Sequence, residues 1–244
     1  MAKGVNVGGE VEPIGIAEAR SALAWWLETG VDVLVQEQPR DWLAAPSPRK
    51  PAAVEPAPIA NVVEPSNETL AALQQWLASS AHLPMASASA QRILPHGPEN
   101  APVMLLTDAP TLDDFSAGRP IGGEAWELAK RMLAAIGIAA DDAYFASLSC
   151  IHAPGKRMSP DEREAAASIA RQHVKLAKPK RLLLLGDGPA QALLGKPLAQ
   201  ARGHAHKIEG VRTVATFHPR ALINQPSNKS LAWKDLLLLM EDES

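Results

Sequence analysis

The sequence predicts an α/β fold in which a four-stranded parallel sheet is covered by helices on both faces. From Ala101 onward, short apolar runs alternate with longer amphipathic stretches. The short runs have the length of buried strands, and the stretches between them have the length of helices. Helical crossovers connect parallel strands and place helices on both faces of the sheet, which gives three layers.

The four apolar runs are the predicted strands, at residues 102–106, 143–148, 181–185 and 211–216. Helices are predicted over residues 122–136, 160–178 and 231–240. Gly137 ends the first of them. The second begins at Ser159-Pro160-Asp161-Glu162, where proline takes the first helical position and acidic residues fill the first turn.

Residues 1–66 precede this alternating pattern. We predict a helical extension over residues 1–45, because residues 14–34 carry a broad apolar face that includes Trp25 and Trp26. Docking on the main domain is favoured for this face over base stacking. Prolines between residues 46 and 65 predict a stiff linker over 46–66. The domain over 67–244 then opens with a helix that starts at Ser66-Asn67-Glu68-Thr69.

The composition excludes several classes of protein. The only cysteine, Cys150, rules out an internal disulfide and a multi-cysteine metal site. No apolar run reaches the roughly 18 residues that a membrane span needs. No apolar segment of the signal-peptide kind follows Met1. We therefore expect no membrane partner and a cytoplasmic location.

Charge is distributed unevenly along the chain. Residues 1–150 carry 9 Lys/Arg and 18 Asp/Glu, whereas residues 151–235 carry 15 Lys/Arg and 6 Asp/Glu. A basic half favours a polyanionic partner such as a nucleic acid. The alternative is a solvated surface on which the two halves neutralise each other.

The most specific motif follows the last predicted strand. It reads F-H-P-R-A-L at residues 217–222. His218 lies at the carboxyl end of a buried strand, where open α/β sheets bind ligands, and Pro219 stiffens the backbone beside it. Alone, this histidine could be an ordinary loop residue. With Pro226, Lys229, Trp233 and Asp235, the whole string resembles the last motif of the uracil-DNA glycosylases, and most closely that of the bacterial and archaeal family-four type.

This resemblance implies a three-layer α/β/α sandwich around the parallel sheet. It also implies a monofunctional DNA N-glycosylase, which hydrolyses the N-glycosidic bond of uracil or a related damaged base flipped out of DNA. The product would be an abasic site, as in base excision repair. The expected partner is uracil-containing or damaged DNA, bound by a monomer. The alternative is a glycosylase fold that binds DNA or a protein partner without catalysis.

A second motif, T-D-A-P-T at residues 107–111, stands where family members carry Gly-Glu-Ala-Pro-Gly. The resemblance assigns the catalytic carboxylate to Asp108, which would orient a water and stabilise the cationic sugar. It places Ala109 and Pro110 in the substrate pocket. Because Asp is one methylene shorter than Glu, the water that it orients would lie at a different position. The alternative for Asp108 is a turn or N-cap residue.

Two further pocket positions differ from the family. Ile121 stands where the family has the aromatic that stacks on uracil, and loss of that stacking costs roughly 1–3 kcal/mol. Ser147 stands where the family has an asparagine that bonds the uracil edge. A hydroxyl lacks the planar donor–acceptor pair of an amide, so we expect looser discrimination of uracil from cytosine and thymine.

The resemblance assigns roles to residues of the last motif as well. His218 would donate a hydrogen bond to uracil O2 as negative charge builds on the departing base. Leu222 would be the apolar wedge that enters the base stack. For the basic residues, solvated surface charge is the alternative to phosphate contact. The candidate phosphate contacts are Arg220, Lys229, Lys156 and Arg157.

Typical family-four proteins hold an iron–sulfur cluster with four cysteines. This chain has one cysteine, and the cluster cysteine of the motif aligns with Ile151, not with Cys150. We therefore expect no iron–sulfur cluster and no other cofactor, with helix packing in its place. The G-x-G at 186–188 is too weak a signal for a dinucleotide site, and Gly186 is expected to permit a tight strand-to-helix turn.

Overall fold

A computed structural model describes residues 68–86, 90–153 and 155–241 of the chain. The predicted N-terminal helix over 14–34 and the linker over 46–66 lie outside these ranges. Within the described ranges, no helix is both long and apolar enough to cross a membrane.

The elements are numbered here in chain order. The strands are β1 (Gln91–Arg92), β2 (Met104–Thr107), β3 (Tyr144–Ser147), β4 (Ile151–His152), β5 (Arg181–Leu185), β6 (Ala205–Ile208) and β7 (Val211–Thr216). The helices are α1 (Leu70–Ser79), α2 (Leu112–Ala117), α3 (Gly123–Ala135), α4 (Pro160–Ala177), α5 (Asp187–Leu194), α6 (Leu198–Ala201), α7 (Pro219–Asn224) and α8 (Lys229–Met240). Short 3-10 turns lie at Ala140–Asp142 and Pro226–Asn228.

The central sheet has the strand order β3-β2-β5-β7-β6. Strands β3, β2, β5 and β7 run parallel, with Leu105 opposite both Phe145 and Leu183. The predicted four-stranded parallel sheet is therefore confirmed, with β5 and β7 at the predicted bounds. The carboxyl ends of β2, β5 and β7 meet at one edge, where ligands bind in open α/β sheets.

The fifth strand was not predicted from the sequence. β6 pairs antiparallel with β7 through a turn at Glu209-Gly210, where both residues have positive φ angles. Only Ile208 of β6 is buried. A polar edge strand of this kind has almost no apolar signal, because one of its sides faces solvent.

The core consists of two layers, one on each face of the sheet. Met104 and Leu106 point to one face, and Leu105 points to the other, as the two-residue period of a strand requires. The first layer packs against α4 and α5, and the second against α3 and α8. This arrangement confirms the three-layer α/β/α sandwich.

A third apolar cluster joins α1 to β4 and α4. Helix α1 begins where the sequence predicts, because the Thr69 side chain accepts a hydrogen bond from the Ala72 N–H at 3.2 Å and caps the helix. The buried members of the cluster are Leu73, Leu77, Leu83, Met85, Cys150, Ile151 and Ile169. The short β1–β4 ribbon, which was not predicted, lies beside this cluster.

Candidate active site

The candidate site lies at the carboxyl edge of the sheet, around the turn Gly186–Gly188 that leads from β5 into α5. Asp108 directly follows β2, and His218 lies just beyond β7, so the two side chains flank the end of β5. A Cβ placed on Gly188 would lie 2.3 Å from Oδ2 of Asp108. A Cβ placed on Gly186 would lie 3.7 Å from the Cβ of His218. The Asp108 carboxylate and the Cβ of His218 thus lie against the two ends of one short turn.

Gly186 makes this turn possible. Its φ is 97°, a value that residues with a side chain rarely adopt. Its N–H donates to the Thr216 carbonyl at 2.8 Å, which extends the β5–β7 pairing to the point where the chain turns. The predicted tight strand-to-helix turn is confirmed.

Asp108 is not a helix cap. Thr111 is the N-cap of α2, and Asp114 completes its capping box. Oδ1 of Asp108 accepts a hydrogen bond from the Ala109 N–H at 2.9 Å. The residue keeps an exposed surface, while neighbouring protein atoms remove part of the water around its carboxylate.

The surroundings of Asp108 shift the pKa of its carboxyl group in opposite directions. Desolvation raises the pKa of the Asp108 carboxyl above its ordinary value, and the negative charge of Asp187 adds to the rise. The hydrogen bond from Ala109 and the positive charge of Arg163 oppose it. A carboxylate with a raised pKa is a better proton acceptor than an ordinary surface aspartate.

His218 is held as a neutral ring with a defined tautomer. Its Nδ1 accepts a hydrogen bond from the Arg220 N–H at 3.1 Å and so caps helix α7. Burial, helped by the charge of Arg220 and opposed by that of Asp114, lowers the pKa of His218 to about 4. Because Nδ1 is an acceptor, the proton of the neutral ring lies on Nε2. His218 therefore presents an N–H donor at neutral pH.

Helix α7 was not among the helices predicted from the sequence. Pro219 takes the first helical position, where the missing N–H costs nothing. The sequence also predicts Leu222 as a wedge that enters the DNA stack. Leu222 is instead 1% exposed, on the same inward face of α7 as the buried Pro219. To enter a base stack, Leu222 would have to leave this packing, so its role as a wedge stays a prediction.

The roles assigned to Ile121 and Arg220 stay predictions, and both side chains have protein partners in the structure. Ile121 is 1% exposed and packs in the core with Leu105. The Arg220 guanidinium donates to Thr111 Oγ1 and to Asp114 Oδ1, both at 2.9 Å. A buried carboxylate such as Asp114 needs this partner, because an unpaired buried charge is strongly destabilising.

Asp114 was missed by the sequence analysis, although it organises the loop after β2. Its Oδ2 accepts from the Thr111 N–H and hydroxyl, and its Oδ1 accepts from the Gly122 N–H at 2.6 Å. Together with Arg220 it ties the Asp108 loop to helix α7. The sequence does contain a sign of this role, because Thr111 and Asp114 have the spacing of a helix capping box.

The other predicted pocket residues lie around the same loop. Ser147 is half-buried at the end of β3, and its Oγ accepts a hydrogen bond from Thr107 Oγ1 at 3.2 Å. Ala109 is half-buried and Pro110 is buried. The Pro110 carbonyl accepts a hydrogen bond from Nδ1 of His152 at 2.8 Å. The loop is therefore fixed by His152 on one side and by α7 on the other.

A set of polar contacts around Asp235 fixes the end of β7. The fully buried Asp235 accepts hydrogen bonds from the Thr216 hydroxyl at 2.8 Å and from the Arg202 guanidinium at 3.1 Å. That guanidinium lies 5.2 Å from the centroid of the Phe217 ring. Asp235, a residue of the predicted last motif, thus positions the backbone that carries His218 and does not itself reach the site.

The remaining predicted DNA contacts lie at the surface. Lys156 is exposed and pairs with Glu162 at 2.8 Å. Arg157 and Lys229 are also exposed, in the loop before α4 and at the start of α8. Their contact with DNA stays a prediction.

The residues at the expected cluster position do not fit an iron–sulfur cluster. Cys150 is buried, and burial raises the pKa of its thiol to about 11, which disfavours the thiolate that iron requires. Ile151, at the aligned cysteine position, is fully buried in the third apolar cluster. Among the described residues, no group of three or more His, Cys, Asp or Glu side chains could hold a metal ion.

Comparison with known proteins agrees with this architecture. The model of the uracil DNA glycosylase superfamily matches residues 94–238. A type-4 uracil-DNA glycosylase of Pyrobaculum aerophilum is 28% identical over 147 residues, which cover 56% of this chain and 75% of that protein. A type-4 uracil-DNA glycosylase of Archaeoglobus fulgidus is 26% identical over 141 residues, which cover 53% and 71%. The chain belongs to the uracil DNA glycosylase superfamily.

Proposed function

We propose that the protein is a DNA N-glycosylase without an iron–sulfur cluster, which releases uracil or a related damaged base from a nucleotide flipped out of DNA. The observation that carries this proposal is the placement of Asp108 and the neutral His218 against the same Gly186–Gly188 turn. An acid and a hydrogen-bond donor at one sheet edge are what cleavage of an N-glycosidic bond requires.

The reaction begins with lengthening of the bond between C1′ of the sugar and the ring nitrogen of the base. The electron pair of that bond leaves with the base, which becomes an anion, and the sugar becomes cationic. Asp108 stabilises the sugar and orients a water, whose oxygen adds to C1′ and whose proton passes to the carboxylate. The anionic base later takes a proton from solvent. The products are the free base and an abasic sugar.

His218 acts on the departing base. Its Nε2–H donates a hydrogen bond to a carbonyl oxygen whose negative charge grows only as the bond breaks, so the interaction favours the transition state over the substrate. The capping bond from Arg220 to Nδ1 keeps this donor in one tautomer and one orientation. No rotation or protonation of the ring is needed before the step.

We expect the protein to discriminate weakly between uracil and the bases cytosine and thymine. Ile121 is buried and provides no stacking face, and Ser147 offers a single hydroxyl that already contacts Thr107. Flipping a base costs a few kcal/mol, and phosphate contacts from exposed residues such as Arg157 and Lys229 would offset part of it. We further propose that the protein acts on DNA as a monomer in the cytoplasm.

The burial of Ile121 and Leu222 favours a second candidate function, in which the protein binds DNA but does not cleave the glycosidic bond. Salt dependence separates this function from unrelated protein binding, because neutralising phosphates releases counterions. Duplex binding that weakens with salt, without base release, would support it.

The decisive experiment is a single-turnover assay of uracil release from a duplex with one U:G pair. We expect the wild-type protein to release uracil, and Asp108→Ala or His218→Ala to slow release by about 10²-fold or more. Asp161→Ala, which removes an exposed acid from the first turn of α4, is the matched control and should leave the rate unchanged. Equal release by the wild type and by the double variant would reject the proposal.

A further inference from the structure

A groove of about 720 Å³ lies beside the edge strand β3, apart from the candidate active site. One wall is the segment 92–97, and the other is formed by the end of α2 and by α3. Its lining combines aromatic rings with guanidinium groups. The residues that matter here are Arg92, His96, Arg119, Trp126, Asp141 and Phe145.

The aromatic residues of the groove form a fixed stack. The His96 ring lies on the Phe145 ring with centroids 5.3 Å apart and planes at 22°, and Trp126 meets Phe145 edge-on at 5.2 Å. Phe145 is buried, whereas His96 is exposed. Since Phe145 covers one face of the imidazole, the other face is available to a planar ligand.

The backbone holds His96 rigidly in this place. The His96 N–H donates to the Phe145 carbonyl at 3.0 Å, and the Phe145 N–H donates to the His96 carbonyl at 2.8 Å. Gly97 follows with φ 130°, and a Cβ there would lie 2.5 Å from the Ala143 carbonyl oxygen. Only glycine permits this close approach to β3. A ring fixed before the ligand arrives loses little conformational entropy on binding.

The charges of the groove favour an anion. The Arg119 guanidinium lies 4.8 Å from the centroid of the Trp126 ring, and Arg92 donates to the carbonyls of Leu77 and Ser80, both at 2.7 Å. Neither arginine forms an ion pair with a carboxylate among the residues that the structure describes. Asp141 is the one acidic residue of the lining and opposes them. The balance is two positive charges against one negative charge.

We propose that this groove binds a nucleotide of a single-stranded DNA segment, with its base stacked on the open face of His96 and its phosphate on Arg119. Stacking on aromatic rings beside cationic side chains is how proteins hold single strands without reading their sequence. Arginine suits the phosphate because its planar fork pairs with two oxygens at once.

The groove and the candidate site are linked by helix α2. Gly118, the C-cap of α2, lines the groove, and the loop before α2 carries Asp108. The six residues of this helix span about 9 Å. The inference rests on the proposed function in one respect, which is that the bound polymer is DNA. The groove itself takes no part in the proposed catalysis.

The test is binding of fluorescein-labelled (dT)8 to the full chain, followed by fluorescence anisotropy at fixed low salt. We expect Arg119→Glu and His96→Ala each to weaken binding about fivefold or more, as loss of one stacked base predicts. His96→Tyr should retain most of the affinity, because it keeps an aromatic face. Arg131→Glu, an exposed arginine of α3 outside the groove, makes the same charge change and should alter binding less than about twofold.

Several outcomes would overturn the proposal. These are an absence of (dT)8 binding by the wild type, an unchanged affinity in the Arg119 and His96 variants, or an equal loss in Arg131→Glu, which would show a general charge effect. Displacement of (dT)8 by an equal concentration of thymidine monophosphate would assign the groove to free nucleotides instead of a strand. Because (dT)8 contains no uracil, these results do not depend on whether the protein is a glycosylase.

Discussion

At the residue scale, one missing side chain decides where the proposed catalytic carboxylate lies. The Asp108 carboxylate occupies the space that a Cβ on Gly188 would fill. The sequence does not reveal this close approach. A G-D-G string is too short to show whether a glycine is there for a tight turn or because a side chain would clash with a neighbouring residue. The positions of Asp108 and His218 themselves could be predicted, because each follows an apolar run whose end must lie at the sheet edge.

We predict that Gly188→Ala slows uracil release without unfolding the protein. A Cβ 2.3 Å from Oδ2 forces the carboxylate to move, and a misplacement of about 1 Å costs on the order of 10²-fold in rate. Gly188 lies within α5, where alanine is favoured over glycine by roughly 0.5–1 kcal/mol, so the melting temperature should not fall. Single-turnover rates and thermal melts measure the two effects.

The double variant Asp108→Ala/Gly188→Ala provides the control for this prediction. If Gly188 acts only through the carboxylate, its substitution adds no further loss once Asp108 has been truncated. A wild-type rate in Gly188→Ala, or additive losses in the double variant, would show that the close approach of the two residues does not matter for the reaction.

At the element scale, the strands with the most apolar residues could be predicted from the sequence, and the polar edge strand could not. Strand β5 has four consecutive leucines, β7 has the buried Val214 and Ala215, and both strands were predicted to the residue. Strand β6 has one buried residue and was missed, and α7 was missed because it has only six residues and begins with a proline. The roles of Ile121, Leu222 and Arg220 were carried over from aligned motifs, and alignment cannot show that α7 turns Leu222 inward or that Arg220 meets Asp114.

The pairing of β7 with α8 depends on the ion pair between Arg202 and the fully buried Asp235. We predict that Asp235→Ala lowers the free energy of unfolding by about 3–5 kcal/mol, because Arg202 loses its partner and the Thr216 hydroxyl its acceptor. Urea unfolding followed by circular dichroism measures this loss. The double variant Arg202→Met/Asp235→Leu should recover part of it, since it leaves no unpaired charge.

The matched control is the surface ion pair between Lys130 and Glu127 on α3, which has a similar length of 2.8 Å but exposed partners. Glu127→Ala should change the free energy of unfolding by less than about 1 kcal/mol, because solvent screens the attraction. Similar effects of Glu127→Ala and Asp235→Ala would contradict the claim that burial makes the Arg202–Asp235 pair important.

At the scale of the whole molecule, apolar packing and one buried polar network join α1, β3 and α4. The third apolar cluster lies where the family motif would place a cluster cysteine, at Ile151. Beside it, the Gln74 side-chain amide donates to the Tyr144 hydroxyl at 2.9 Å, and that hydroxyl lies 2.7 Å from Nε2 of His173. The Tyr144 hydroxyl therefore donates to His173, whose ring stays neutral because burial lowers its pKa to about 4.

This network makes the stability of the whole fold depend on pH. An unfolded histidine has a pKa of about 6.5, so between pH 6.5 and about 4 the unfolded chain binds protons that the folded His173 and His218 do not. The free energy of unfolding should therefore be constant with respect to these histidines above pH 6.5 and fall as the pH drops through this window. A shift from about 6.5 to about 4 corresponds to a loss on the order of 3 kcal/mol for His173, which is fully buried.

We predict that His173→Gln, whose side chain can still accept from Tyr144, loses less stability than the wild type between pH 7 and pH 4.5. Urea unfolding at pH 7, 5.5 and 4.5 gives the comparison, and His82→Gln, which replaces an exposed histidine, should behave like the wild type. The difference between the variants isolates His173 from the carboxylates that titrate in the same range, since those are common to all three proteins. Parallel curves for the wild type and His173→Gln would mean that His173 titrates in the folded protein as it does in the unfolded chain, so that burial does not keep its ring neutral in this window.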